Sequence, residues 1–264
     1  MKERRKIGFD VRTRQRCVII EYQKEIEMNR IADLHMHIVP GVDDGSRTIE
    51  ESIEMLEMAK SQGVTDVFCT SHNGYCEEDG ERYLNSFNAL TKAVEEANIG
   101  VRLHKGCEVL CAGDYIDDII YGLDIGVFQT LGNSKYVLTE LYSDTKPSEA
   151  LMIIKTLKEH GYQPVIAHME RNYNITGRMV GLLIAAGALI QVNAISLADE
   201  MDSEIKGRAR ELLHNQYIHF IGSDAHRINH RPPCLKSGVQ YIIDNADKEY
   251  AMSILNHNAN RFLL

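Results

Sequence analysis

The sequence has no apolar run approaching the ~20 residues needed to cross a bilayer. Its opening stretch, MKERRKIGFDVRTRQR, is basic but leads into no apolar segment of the kind a secretory signal carries. Positive charge is scarce elsewhere: the net charge is −9 and the pI is near 5.7. That balance excludes a general nucleic-acid binder, which needs a basic face. The 6 cysteines form no Cys-x-x-Cys pair and no evident disulfide framework. They suit a reducing cytoplasm, with small core residues as their default role. Low-complexity segments are absent, and no linker divides the chain beyond residue 30. What remains is ordinary for a globular protein: 44% hydrophobic, 25% charged and 264 residues. This length suffices for one α/β barrel or two smaller domains.

Residues 1–30 fit the rest poorly, with one short apolar run at Cys17–Ile20 between charged stretches. They read as an extension outside the catalytic fold. From Ile31 short apolar runs alternate with helical patterns, the signature of βα repetition. The first strand ends at His37, and Thr48-Ile-Glu-Glu51 reads as a capping box opening a helix that Gly63 closes. The second strand covers Val64 to Thr70, and a helix follows over about residues 81–97. The third strand ends in Gly106-Cys107-Glu108, and the fourth is Tyr136–Glu140. Pro147 opens a helix that stops at Gly161. The fifth strand is Pro164–His168, the sixth Ala188–Asn193 and the seventh His219–Asp224. Two helical patterns finish the chain.

Nearly every strand end in that reading presents a His, Asp or Glu. In barrel folds, functional residues come from the C-terminal ends of several strands. Asp33-Leu-His-Met-His37 is the organising stretch, because alternation sends both imidazoles to one face with a carboxylate close downstream. Collected, the candidate ligands are His35, His37, Asp44, His72, Glu108, Glu140, His168, Asp224 and His226. That set exceeds the need of one zinc ion and suffices for two or three divalent cations. Imidazole and carboxylate donors without thiolate favour manganese, iron or zinc.

The run DLHMHIVPGVDDGSRTIEES resembles the opening motif of the PHP (polymerase and histidinol phosphatase) superfamily. Within it, the sequence is most similar to the bacterial capsule-type, manganese-dependent protein-tyrosine phosphatases. Five later motifs agree: TSH at 70–72, GCE at 106–108, LTE at 138–140, AHMER at 167–171, and SDAH at 223–226 followed by RPP at 231–233. The resemblance spans about residues 31–264. It implies a single-domain α/β fold, a distorted (β/α)7 TIM-like barrel. It also matches the nine residues above to the family's metal ligands, with Asp44 rather than Asp43 as the matching aspartate. Arg171 and Arg231 match its phosphate-handling arginines. The implied substrate is phosphotyrosine in a protein, an autophosphorylating tyrosine kinase of capsule or exopolysaccharide production. Two departures are Asn73, where relatives often carry a second His, and the N-terminal extension.

The chemistry is consistent with the residues themselves. Clustered divalent ions bring the pKa of a bound water toward neutrality and hold phosphoryl oxygens. Three dications against four ligand carboxylates (+6 − 4) leave a site near about +2 inside an acidic chain. Arginines beside such a site give planar, bidentate donors to phosphate. Three other readings stay open at this point. A small-molecule phosphatase of the histidinol-phosphate type would use the same donors, and a metal-loaded module could bind phosphotyrosine without turnover. An amidohydrolase also uses His-x-His and a late Asp, but usually places a modified Lys where this chain has Glu140.

One motif is a decoy. Cys76-Glu-Glu-Asp-Gly-Glu-Arg82 satisfies the Cys-x5-Arg pattern of cysteine-dependent phosphatases. Four acidic side chains there would repel phosphate and raise the thiol pKa. Cys76→Ser should therefore leave turnover within a few-fold of wild type. A serine variant that traps phosphotyrosine substrate without hydrolysing it would make Cys76 the nucleophile.

Overall fold

The computed structural model describes residues 31–72 and 77–260. The N-terminal extension, Asn73 and Cys76 lie outside the described residues. The elements run β1 (Ile31–Met36), α1 (Ile49–Ser61), β2 (Val64–Cys69), α2 (Glu77–Glu96), β3 (Arg102–Lys105), β4 (Glu108–Leu110), α3 (Ile116–Asp124) and β5 (Tyr136–Glu140). They continue α4 (Pro147–Glu159), β6 (Gln163–Ile166), α5 (Arg178–Ala185), β7 (Leu189–Asn193), α6 (Ser203–His214), β8 (Phe220–Gly222), α7 (Lys236–Asn245) and α8 (Lys248–Met252). All strand pairs are parallel, in the orders β1-β2-β3 and β4-β5-β6-β7-β8.

The two sheets close into a barrel at two seams. At one, Met36 bridges Ala225, Asp224 N–H donates to His35 O at 2.7 Å, and His37 N–H donates to Ala225 O at 2.8 Å. At the other, His72 bridges Glu108 and Glu108 N–H donates to Thr70 O at 3.1 Å. Apart from the two-residue break between β3 and β4, each strand feeds the next through a segment that contains a helix, as barrel topology requires.

The third strand departs from its expected form. Instead of one run ending at Glu108 it breaks into β3 and β4, so Glu108 begins a strand rather than closing one. The cause is local hydrogen bonding. Gly106 N–H donates to the Tyr83 hydroxyl at 3.1 Å and Cys107 N–H to Gln129 O at 3.0 Å, which takes both out of the ladder. Tyr83 is wholly buried and donates in turn to Cys69 O at 2.7 Å.

Other differences are smaller. Helix α2 starts at Glu77, four residues ahead of the expected 81, and α3 and α6 had no counterpart in the sequence reading. Helix α3 buries Ile116, Ile119, Ile120 and Leu123, one face at helical spacing. Asp202 caps α6 by accepting from Glu204 N–H at 2.9 Å. At α1 half of the capping box forms: Thr48 accepts from Glu51 N–H at 3.2 Å. The Glu51 carboxylate accepts from Arg47 N–H at 3.0 Å rather than from Thr48.

Two apolar layers hold the barrel. The larger packs helices against the strands, and the smaller joins Leu34, Phe68, Leu138, Val165 and Phe220 across the strands. Strand β1 carries one extra residue between the pairs Asp33–Val67 and Met36–Cys69. Such a bulge changes which residues face inward. It accounts for Leu34 joining the inner apolar layer while His35, its neighbour, joins the polar cluster.

Candidate metal centre

The structure brings all nine predicted donors together at the C-terminal end of the barrel. Four groups of ligand atoms lie within 4.8 Å of one another: His37, Asp44, His72 and His226; His35, Glu108 and His168; His35, His37 and Asp224; His72, Glu108 and Glu140. Glu108 is the hub. Its Oε2 lies 3.0 Å from His35 Nε2, 3.1 Å from His37 Nε2 and 3.6 Å from His72 Nε2, while Oε1 lies 2.8 Å from His168 Nε2. Glu140 approaches His168 at 3.6 Å, and Asp44 approaches His226 Nε2 at 3.5 Å. Asp224 Oδ1 sits 3.6 Å from both His35 and His37.

These spacings fit cations. His35 Nε2 and His37 Nε2 are themselves 3.0 Å apart, so with Glu108 Oε2 they form a near-equilateral triangle. Bonds of ~2.0–2.2 Å to nitrogen and oxygen donors place neighbouring ligands about 3 Å apart around one ion. Four groups sharing His35, His37, His72 and Glu108 match a cluster of ions with bridging donors better than one isolated site.

The electrostatics tell the same story. Burial alone would lower His37, but hydrogen bonds with Asp43 and Glu108 overrule it and raise the pKa to about 10. Burial works against the Glu108 charge, yet His35, His168 and His37 hold it well below the usual carboxylate range. Burial also opposes ionised Asp224, and the charges of His35, Arg171 and His37 still keep it low. Glu140 moves the other way, raised by burial and by Glu108. His226 is lowered to about 4 by burial and by the neighbouring His37. Carboxylates held ionised in a buried site demand positive charge, from protons or from cations.

Orienting groups that the sequence reading missed hold the donors. Asp43 Oδ2 accepts from His37 Nδ1 at 2.8 Å and from His72 N–H at 2.9 Å, and Oδ1 accepts from Gly45 N–H at 3.0 Å. Of the two adjacent aspartates, Asp44 therefore faces the donors while Asp43 fixes two of them. Gln191 Oε1 is 3.3 Å from His35 Nδ1 and accepts from His168 N–H at 2.7 Å. Gln191 Nε2 donates to Asn193 Oδ1 at 2.9 Å, and Asn193 Nδ2 donates to Asp224 Oδ2 at 3.0 Å. Partners of this kind set ring orientation and ligand basicity in metal sites. Buried Glu170 adds support, with Oε1 accepting from Asn193 N–H at 3.1 Å and Ser196 Oγ at 2.6 Å.

Both predicted arginines reach the cluster through one atom. Arg171 Nη1 lies 2.7 Å and Arg231 Nη1 3.2 Å from Asp224 Oδ2, each arginine side chain being about one-third exposed. His168, Asp224 and Arg231 also have positive φ values of 29°, 52° and 56°. Non-glycine residues in such conformations concentrate at functional sites, where surrounding structure holds them.

Gly222 supplies the close approach at the β1–β8 seam. A Cβ there would fall 2.5 Å from His35 Cβ. Gly222→Ala should cost about 1–3 kcal/mol of stability through overpacking. It should also lower bound metal per folded chain, because relief requires His35 or β8 to move. Denaturant melts paired with metal analysis check this, and a variant of wild-type stability and metal content would refute the packing argument.

Fold and donors together define an α/β barrel with a candidate polynuclear metal centre at its mouth. The chain belongs to the CpsB/CapC family of capsular polysaccharide synthesis, whose model matches residues 31–264. CapC of Staphylococcus aureus is 35% identical over 210 residues, 78% of this chain and 81% of the relative. The tyrosine-protein phosphatase CpsB of Streptococcus agalactiae is 30% identical over 241 residues, 88% of this chain and 97% of the relative. A solved structure from work on Bacillus subtilis YwqE and Streptococcus pneumoniae CpsB, described as metal-dependent tyrosine phosphatases, superposes with a TM-score of 0.75. It is 28% identical and covers 84% of this chain and 90% of its own. The phosphotriesterase homology protein of Escherichia coli, at 13% identity and a TM-score of 0.57, shares the fold; the match covers 89% of this chain and 98% of that one. The resemblance read from the motifs and the expected α/β barrel are thus both upheld.

Proposed function

We propose that this protein is a metal-dependent protein-tyrosine phosphatase that hydrolyses phosphotyrosine on a bacterial tyrosine kinase in capsule or exopolysaccharide production. The observation that carries the reading is the convergence of nine imidazole and carboxylate side chains with two guanidinium groups at one barrel mouth. In this reading His35, His37, Asp44, His72, Glu108, Glu140, His168, Asp224 and His226 hold two or three divalent cations, manganese being the favoured ion. When bound, such ions supply an activated water and Lewis-acid stabilisation of phosphoryl and leaving oxygens.

The chain's own groups do the rest. Asp43 and Gln191 take the Nδ1 sides of His37 and His35, which turns both Nε2 atoms toward Glu108. Arg171 and Arg231 pair with the Asp224 carboxylate, and in this reading their remaining donors clamp phosphoryl oxygens in a bidentate manner. A cavity of about 120 Å³ borders Glu140, His168 and Arg171. Among the described residues no helix is long and apolar enough to cross a membrane. Among the described residues Cys69, Cys107, Cys111 and Cys234 form no disulfide, which agrees with a cytoplasmic setting.

Chelation should abolish phosphotyrosine hydrolysis, and added manganese should restore it. Turnover that persists after thorough chelation, with metal analysis below about one ion per chain, would sink the mechanism.

A further inference from the structure

A second cavity, of about 570 Å³, is lined by Leu110, Tyr115, Asp118, Tyr121, Phe128 and Tyr142 among others. The size lies within the roughly 300–1,000 Å³ range of ligand clefts. Three of its tyrosines are unusually bare: Tyr115 is 60% exposed, Tyr121 64% and Tyr142 51%. Exposed aromatic rings with a polar tip are costly to leave solvated and common where a polypeptide docks.

Two observations fix what kind of occupant this groove fits. The first is continuity with the proposed active site. Leu110 lies two residues beyond Glu108 along β4, and Tyr142 lies two residues beyond Glu140 at the end of β5. At ~3.3 Å per strand residue, the backbone of Leu110 follows that of Glu108 by about 7 Å. A polypeptide held by its phosphotyrosine at the cluster would carry its next residues over that distance. The second is charge. Asp118 lines the groove, exposed Asp114 and Asp117 stand near it on the same segment, and no Lys or Arg is among the lining residues.

We propose that the groove between β4, α3 and the end of β5 is a substrate subsite that binds an apolar side chain with an adjacent Lys or Arg beside the phosphotyrosine of a protein substrate. This rests on the phosphatase reading and narrows its substrate class. The tyrosines supply apolar and cation–π contact, and Asp118 supplies the counter-charge. Cluster chemistry should not depend on these residues, so a small phosphoester that cannot reach the groove should be indifferent to them.

The test compares wild type, Tyr121→Ala and Asp118→Lys on three probes. These are p-nitrophenyl phosphate, a phosphotyrosine hexapeptide with Leu and Lys beside the phosphotyrosine, and the same peptide with Ala and Glu there. Wild type should prefer the Leu–Lys peptide. Tyr121→Ala should lower kcat/KM on that peptide about tenfold, mostly through KM, with p-nitrophenyl phosphate within twofold of wild type. Asp118→Lys should reverse the preference between the peptides. Equal kinetics on both peptides in all three proteins would overturn the subsite while leaving the phosphatase reading intact. A wild type that turns over neither peptide would overturn both. Light scattering completes the set: if Tyr121→Ala dissociates a dimer without changing peptide selectivity, the groove is a self-association face and the subsite is wrong.

Discussion

Glu108→Ala should yield a folded protein that has lost most of its metal and all measurable phosphotyrosine turnover. No other carboxylate in the cluster meets so many imidazoles: His35, His37, His72 and His168 all lie within 3.6 Å of its two oxygens. Removing it takes a donor from two of the four candidate groups at once. It also removes the carboxylate that lies within 3.1 Å of His35, His37 and His168, so the site holds less negative charge against the cations. Metal catalysis contributes several kcal/mol. At about 1.36 kcal/mol per tenfold, that sets the loss at on the order of 10³-fold or more. Glu108→Gln, which keeps the shape and removes the charge, should retain more fold stability but no more activity. Metal content per chain, thermal melts and phosphotyrosine kinetics decide the matter together. A metal-replete Glu108→Ala enzyme with unchanged kcat would leave the cluster without a catalytic role.

Much of this arrangement was legible in the sequence, and the reason is chemical. His, Asp and Glu are costly inside apolar strands. Their recurrence at strand ends marks a shared destination, and the nine donors do meet there. What stayed hidden was whatever depends on three-dimensional neighbours. The resemblance singles out Asp44 over Asp43, yet only the fold reveals that Asp43 accepts from His37 Nδ1 and the His72 amide. Asn193 ends the one predicted strand with no His, Asp or Glu at its end, and its amide donates to Asp224 Oδ2 beside the two arginines. Gly222 looked like an ordinary strand residue because close approach to His35 leaves no mark in one dimension. The broken third strand was illegible for a similar reason, since it depends on a tyrosine hydroxyl 23 residues away in sequence. Helix α3, which borders the exposed groove, lay in a segment that the sequence reading left unassigned.

The arginines separate phosphate chemistry from amide chemistry. Arg171 and Arg231 both pair with Asp224 Oδ2, the oxygen turned away from the His35–His37 side, where Oδ1 sits. Losing either one leaves Asp224 held by the other guanidinium and by Asn193 Nδ2. Metal content should therefore stay near wild type in Arg171→Ala and in Arg231→Ala. Turnover should not. If each guanidinium donates to phosphoryl oxygens whose charge shifts during displacement, its loss lowers kcat more than it raises KM. Removing one such charge-assisted donor costs about 2.7–4 kcal/mol, a rate loss on the order of 10²–10³. Lysine should rescue only in part, because a point charge cannot reproduce the two-pronged fork. Arg231 adds a backbone constraint, since its φ of 56° is unfavourable for any side chain and a substitution there must adopt it too. Arg231→Lys controls for that, as both residues pay the same backbone cost and differ only in the head group. An amide-cleaving barrel has no phosphoryl group to clamp, so its turnover would tolerate all of these changes. Metal-replete variants with wild-type kcat on phosphotyrosine would take both arginines out of the active site and reopen the substrate class.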